Sequence, residues 1–534
     1  MKKGSNSSNK KSQGYRKPDN KKPQRNRQRT ERDRDDDAEQ IDRSRKYNDV
    51  SWYAKNEHML KAAASYSYNN PLGNVIPYSK LLLPAGGNAI TAGETPRSVP
   101  GLMGLYFVPT IGISTTSTSP ANLASQNIYS YVRYMNSGAK NYDQADLMLY
   151  LLSMDSLYMA FNWLKRIYGY VRVYSQVNRY MPAAYAMADG IDLNDFRANL
   201  ADVRMYLEVL ASQISSFCVP AVMPFFLRHS WMVSNIYKDS DTEKAQQYMF
   251  IPRVFYRYSE TTSQYGGELT PVPMGTASAA YTFAEVRAVI QSMVDAVAYS
   301  EDIGVMSGDI KKAYGDSSLF KLTPVEPDYT VLPVYNEEVL NQIHNSTSVG
   351  IGTEQINTAA FKITQNPDTG FLVYNPTFVD ANAPIYPGMA VVNMPWDNVE
   401  PANTMVATRL TAMLKPSTAQ NSYQFAALGS EFINTRVIID ASENVFVPSF
   451  LPTSVLYLKQ ATSTSEAAVV RQLSKLSQFD WHPIFFLVEQ TSDNVFKAEG
   501  VFGDMNNYTF LTAENIENMN LTALLSMFNV PQMG

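Results

Sequence analysis

Four histidines, one cysteine and a few paired carboxylates are the residues of this chain best suited to chemistry, and their spacing argues against it. His58, His229, His344 and His482 lie far apart, and none stands at the spacing of a metal ligand set. His229 has the most suggestive setting, inside Leu227-Arg228-His229-Ser230-Trp231. A lone histidine beside aromatic residues reads as a satisfied core residue rather than a base or a ligand. Cys218 is the single cysteine, so there is no intramolecular disulfide and no zinc site built on several thiolates. In Ser215-Ser216-Phe217-Cys218-Val219-Pro220 it reads as a small buried hydrophobe. Glu337-Glu338 and the pair Asp239 and Asp241 stand in polar surroundings and read as solvated or capping groups. No GxSxG elbow, Walker loop or HExxH occurs. Gly350-Ile351-Gly352 runs into Thr353-Glu354-Gln355 without the third glycine of a dinucleotide turn. Asp33, Asp35 and Asp37 alternate like the start of a calcium loop. However, Ala38 replaces the sharp-turn glycine and Ser44 the bidentate glutamate. The expectation is no catalytic residue, no metal, no cofactor and no enzyme, although spacing alone does not address a Ser-His-Asp site assembled from distant segments.

The chemistry that remains is electrostatic. Residues 1–30 carry Lys2, Lys3, Lys10, Lys11, Arg16, Lys17, Lys21, Lys22, Arg25, Arg27 and Arg29 against Asp19 alone, a net charge of +10. The whole chain is nevertheless at −5, so a cationic tail leads into an acidic body. After Met1, Tyr15 and Ile41 are the only sizeable apolar side chains before residue 47. Such a segment cannot offset its ordering entropy and is expected to be disordered when free. Its charge attracts polyanions by counterion release, independent of sequence and sensitive to salt. These eleven residues are the candidate nucleic-acid contacts, and a solubilising or localisation tail is the plainer alternative. The mixed run Glu31 to Lys46 reads as a solvated hinge.

The elements that would position any site follow from periodicity. At 534 residues the chain exceeds one compact domain, at roughly 150 residues each. Charged residues make up 18 %, below the usual ~25 %, and 34 tyrosines and 24 methionines help fill the gap. Both types are enriched at protein–protein contacts, which tilts the reading toward an assembling protein. The first residues show no apolar signal-peptide core, and Lys2 stands where N-myristoylation needs glycine. No apolar run approaches the ~18 residues of a membrane span, so a cytosolic product without integral membrane association is expected. Order should begin near Tyr47, and Pro71 to Ile113 reads as extended, docked chain. From Leu147 a helix is apolar nearly all round, through Leu151, Met154, Tyr158 and Phe161. Asp192 caps a second, expected as one helix with the stripe Leu193, Phe196, Leu200, Val203, Leu207, Leu210, Ile214 and Phe217. A third starts at the capping box Thr282-Phe283-Ala284-Glu285. Tyr248 to Tyr258 suits a strand. Residues 350–455, where short apolar runs are cut by turns such as Asn366-Pro367-Asp368-Thr369-Gly370, read as β-rich. Helices return at Glu466–Leu476 and after Ala513.

Several blocks resemble picobirnavirus capsid proteins. Asn48-Asp49-Val50-Ser51-Trp52-Tyr53 and Pro71-Leu72-Gly73 come first. Gln144-Ala145-Asp146-Leu147-Met148-Leu149-Tyr150, with Met154-Asp155-Ser156-Leu157-Tyr158, is similar to the family's central helix. Arg228-His229-Ser230-Trp231-Met232 leads on to Lys238-Asp239-Ser240-Asp241-Thr242 and Tyr248-Met249-Phe250-Ile251-Pro252. Gly308-Asp309-Ile310-Lys311-Lys312-Ala313-Tyr314-Gly315 and Tyr335-Asn336-Glu337-Glu338-Val339-Leu340 extend the likeness. It runs from about residue 47 to 345 and is thin afterwards, apart from Ala407-Thr408-Arg409-Leu410. The resemblance implies a largely α-helical shell domain and a more variable projecting domain. Joined to the β-rich reading of 350–455 and the disordered basic N-terminal arm, it gives the expected fold class as α+β, a predominantly α-helical shell domain with a β-rich projecting subdomain. Laid on this chain, that gives an arm at 1–46, a shell domain at 47–349, a projecting part at 350–455 and a mixed C-terminal segment, 456–534, returning to the shell. It also implies homodimers closing into an icosahedral shell, found in virions and assembled in the host cytoplasm. That shell would enclose a segmented double-stranded RNA genome and the viral polymerase. The competing readings are a non-capsid RNA-binding nucleoprotein, and a bacterial solute-binding protein for which the export signal is missing.

Overall fold

In this computed structural model the chain is described over residues 52–531, apart from 78–84, 88–97, 138–141, 174–178, 261–265, 351–356, 380–385, 420, 441–447, 460–465 and 493–494. The basic arm, its eleven lysines and arginines and the hinge up to Lys46 lie outside the described residues. The chain forms two units, Met1–Asn69 and Asn70–Gly534. In the first, helix α1 (Glu57–Ala64) is capped by the Asn56 side chain, which accepts from the His58 and Met59 amides, and buries none of its residues.

The second unit opens with β1 (Leu102–Pro109), then α2 (Pro120–Met135), α3 (Gln144–Val171), α4 (Met181–Asp189), α5 (Leu193–Ala198), α6 (Leu200–Ser215) and α7 (Pro224–Ser234). Strands β2 (Tyr237–Lys238), β3 (Gln247–Pro252), β4 (Val254–Ser259) and β5 (Glu268–Pro273) precede α8 (Phe283–Ala298), α9 (Glu301–Tyr314) and α10 (Glu337–His344). Next come β6 (Thr364–Gln365), β7 (Leu372–Val373), β8 (Thr377–Val379), β9 (Met389–Asn393), α11 (Pro401–Ala407), β10 (Met413–Pro416) and β11 (Ser422–Ala427). The last stretch holds β12 (Glu431–Ile439), β13 (Pro448–Leu451), β14 (Val455–Lys459), α12 (Glu466–Leu476), β15 (Phe485–Ser492), β16 (Val495–Phe502), β17 (Tyr508–Thr512) and α13 (Ala513–Met527).

The core is organised by one helix and one sheet. Helix α3 starts at a capping box, in which the Asp143 side chain and Asp146 satisfy each other's backbone amides. It buries 24 of its 28 residues, as an all-round apolar pattern requires. Helices α2, α6, α7 and α8 and strand β4 pack around it. The sheet has the order β13-β12-β1-β3-β2. Its centre is β1, antiparallel to β12 and parallel to β3, with every residue of those three strands buried. Leu102-Met103-Gly104-Leu105-Tyr106-Phe107-Val108-Pro109 is the continuous apolar run such a strand needs.

The structure revises three sequence expectations. The extended chain Pro71 to Ile113 contains the central strand of the sheet rather than only a docked segment. The helix from Asp192 breaks at Asn199, whose side chain bonds the Asp195 carbonyl and carboxylate, yet Phe196, Val203, Leu207, Leu210 and Ile214 all stay buried. Tyr248 to Tyr258 divides into β3 and β4 in different sheets, with Arg253 at the joint donating to the Gly275 carbonyl. Within 350–455, β6–β7 close over the Asn366 turn and β10-β11-β8 form a small sheet, as β-rich sequence requires. In addition, β12 and β13 join the central sheet beside β1, so this stretch also supplies strands to the main sheet. Helix α13 returns against α2, α7, β11 and β17.

Candidate functional site

The candidate nucleic-acid residues, Lys2 through Arg29, all lie outside the described residues, so the structure brings none of them together. What it does bring together is a buried ionic cluster around His229. Helix α3 supplies Asp155, the one carboxylate in its buried middle. Helix α7, opened by Pro224, carries Arg228 and His229 one turn in. Ser430 and Glu431 arrive at the start of β12. His229 Nδ1 lies 2.6 Å from Asp155 Oδ2, and Nε2 lies 3.2 Å from the Ser430 carbonyl and 3.8 Å from Glu431 Oε2. Arg228 donates to Glu431 Oε1 through Nε at 2.8 Å and through Nη2. The Phe225 ring closes one side, its centroid 4.5 Å from the imidazole.

Both ring nitrogens of His229 face acceptors, which only the doubly protonated imidazolium satisfies. Burial favours the neutral ring, but Asp155 and then Glu431 outweigh it and hold the pKa at about 10. Burial likewise favours a protonated Glu431, yet Arg228 and His229 keep its carboxyl far below the usual range. Burial pushes Asp155 up, with His229 pulling against it.

Two members of a Ser-His-Asp arrangement thus stand side by side, and the third is absent. Ser430 turns its carbonyl to the ring and gives its hydroxyl hydrogen to Glu431. His229 is fully buried, so no substrate reaches it. The cluster joins α3, α7 and β12, and its chemistry is cohesion.

The remaining titratable groups follow the same logic. Arg166 and Asp189 form a fully buried ion pair at 2.7 Å, with Trp163 and Tyr170 also donating to the carboxylate. His344 Nδ1 meets the His482 carbonyl at 2.7 Å, His482 stacks on Phe502, and burial lowers both imidazoles below the ordinary range. Cys218 is half-buried. Glu337 and Glu338 lie exposed in the first turn of α10, as capping residues should. Asp239 departs from expectation: it is buried and accepts from the Asp480 and Trp481 amides and the Tyr248 hydroxyl, while Asp241 stays in solvent beside Lys238. Among the described residues no three of His, Cys, Asp and Glu converge as metal ligands would. No described helix is long and apolar enough to cross a membrane.

Sequence reasoning singled out His229 but missed its partners, which lie 74 and about 200 positions away. The available signal was Asp155 itself, since a carboxylate in a helix apolar all round must find a cation.

A family model described as "Picobirnavirus, Capsid protein" matches residues 52–455. The capsid protein precursor of a human picobirnavirus (strain Human/Thailand/Hy005102/-) is 32 % identical over 518 residues, covering 91 % of this chain and 92 % of that protein. A solved X-ray crystallographic structure of the picobirnavirus capsid superposes with a TM-score of 0.78 at 24 % identity, over 91 % of this chain and all of the other. The core sheet and the buried α3 thus have a common setting: this chain belongs to the picobirnavirus capsid protein family.

Proposed function

We propose that this chain is a shell subunit without catalytic activity, which dimerises and closes into an icosahedral particle around a segmented double-stranded RNA genome. Family membership across nearly the whole chain is the observation that carries this reading. In the same reading the arm, residues 1–46, lines the interior and neutralises phosphate without reading sequence. Its net charge of +10 over residues 1–30 supports that role. Duplex RNA offers side chains no readable major groove, so sequence-independent contact is the mode that suits it. Residues 47–349 and 456–534 build the shell. The projecting part falls within 350–455. The viral polymerase is enclosed with the genome, and assembly takes place in the host cytoplasm.

Electron microscopy of the gently purified full-length protein tests the reading. Uniform closed particles of one diameter, holding nuclease-protected RNA, are the expected outcome. Soluble monomers or open filaments that persist across salt and pH would overturn it in favour of a nucleoprotein.

A further inference from the structure

Strand β16 ends the order β14-β15-β16, so its outer edge carries no strand among the described residues. Seven of its eight residues are exposed, including Val495, Phe496 and Val501, on both faces of the ribbon. A bare edge with apolar side chains is a template for another strand.

The strand also has an internal symmetry. Its register against β15 steps from Leu487↔Gly500 to Val488↔Ala498, which leaves Glu499 as an extra, bulged residue. With that bulge counted, Lys497, Gly500 and Phe502 share one face with Val495, and Phe496, Ala498 and Val501 share the other. Glu499 lies on the lysine's face, its carboxylate 2.5 Å from Lys497 Nζ. The order Val-Phe, Lys, Ala, Glu-Gly, Val-Phe is therefore matched about Ala498.

We propose that β16 pairs edge to edge with β16 of a second copy of this chain, antiparallel about a two-fold axis at Ala498. Phe496 then faces Val501 of the second copy, and Val495 faces its Phe502, each on a common face. Aromatic with β-branched pairs of this kind are favourable across strands. Lys497 faces the second copy's Gly500, with bulged Glu499 beside it. A Cβ built on Gly500 meets nothing within 4 Å, which leaves room for the lysine stem. Two three-stranded sheets become one of six, through an isologous contact that closes on itself. The lysine and the bulge would obstruct a strand lacking the matching glutamate, so the edge selects its own kind. The proposal rests on the shell-subunit reading only for the supply of second copies.

The test uses the full-length chain with Cys218→Ala and Ala498→Cys. Directly opposed residues of an antiparallel pair have Cα atoms about 4.5–5.5 Å apart, inside the range a disulfide spans. Mild oxidation should give a covalent dimer within the particles, seen on a non-reducing gel. Particles that form without this cross-link overturn the pairing and leave the capsid reading standing, whereas a failure of the unmodified chain to form particles overturns the capsid reading. Charge reversal supplies a second arm. Lys497→Glu and Glu499→Lys should each weaken dimerisation about tenfold or more in sedimentation, and the double swap should recover it to within about threefold. A double variant no better than the singles overturns the register.

Discussion

His229 holds two carboxylates and a carbonyl in a place no water reaches, so its charge is a structural necessity of the fold. Replacing it with glutamine leaves Asp155 buried without its cationic partner and Glu431 paired with Arg228. Breaking a buried ion pair from one side costs about 3–5 kcal/mol. Urea unfolding of the unassembled subunit should show a loss of that order. The pH dependence has a definite sign. The folded pKa is about 10, above the ~6.5 of an unfolded histidine, so the contribution is complete below pH 6.5 and is lost as pH rises toward 10. The gap between wild type and His229→Gln should be widest near pH 6 and close by at most about 1.4 kcal/mol per pH unit above 6.5. A gap that is flat or widens from pH 6 to 9 would show that the ring is not protonated in the fold.

Helix α3 shows where the sequence is legible and where it stops. Its apolar surround announced a buried element, and burial of 24 of its 28 residues follows from that pattern. The capping box at Thr282 was equally readable, because a cap is local. The break at Asn199 was not, since the stripe keeps its phase across the joint. Nor was the central place of β1, because pairing with β12 joins residues more than 300 positions apart and leaves no local mark. The ionic cluster failed for the same reason. Gly169 makes the distinction testable. Sequence alone says that alanine should improve a helix interior by about 1 kcal/mol. In the fold, a Cβ there would meet Val331 Cγ2 at 2.6 Å, Tyr329 Cε1 at 2.9 Å and the Val331 amide nitrogen at 3.1 Å. Gly169→Ala should therefore destabilise by about 1–3 kcal/mol as the segment through Val331 is forced off α3. Gly304 in α9, where a Cβ meets nothing within 4 Å, should instead gain about 0.5–1 kcal/mol on the same change. Thermal melts of the two unassembled variants should move in opposite directions, and a shared direction would mean that one of these surroundings is misread.

For the whole molecule, the division of charge decides what the arm does. Residues 1–46 carry sixteen basic and eight acidic groups, a net of +8, so the −5 of the chain leaves residues 47–534 at −13. In the proposed reading, a shell built from that body alone repels RNA, and the attraction comes from the arm. Deleting residues 1–46 should leave particles that still close, because the arm has almost no apolar side chain to bury, yet empty them of nuclease-protected RNA. Changing the eleven basic residues of 1–30 to glutamine keeps the length of the arm and should empty the particles as well, which separates charge from reach. The affinity of the free subunit for duplex RNA should fall with salt, with a logarithmic slope that approaches about −9 if all ten net charges of residues 1–30 meet phosphate. In the truncated chain that slope should flatten toward zero. Packaging that survives either the deletion or the neutralisation would remove the arm from the role and send the search for RNA contacts to the body.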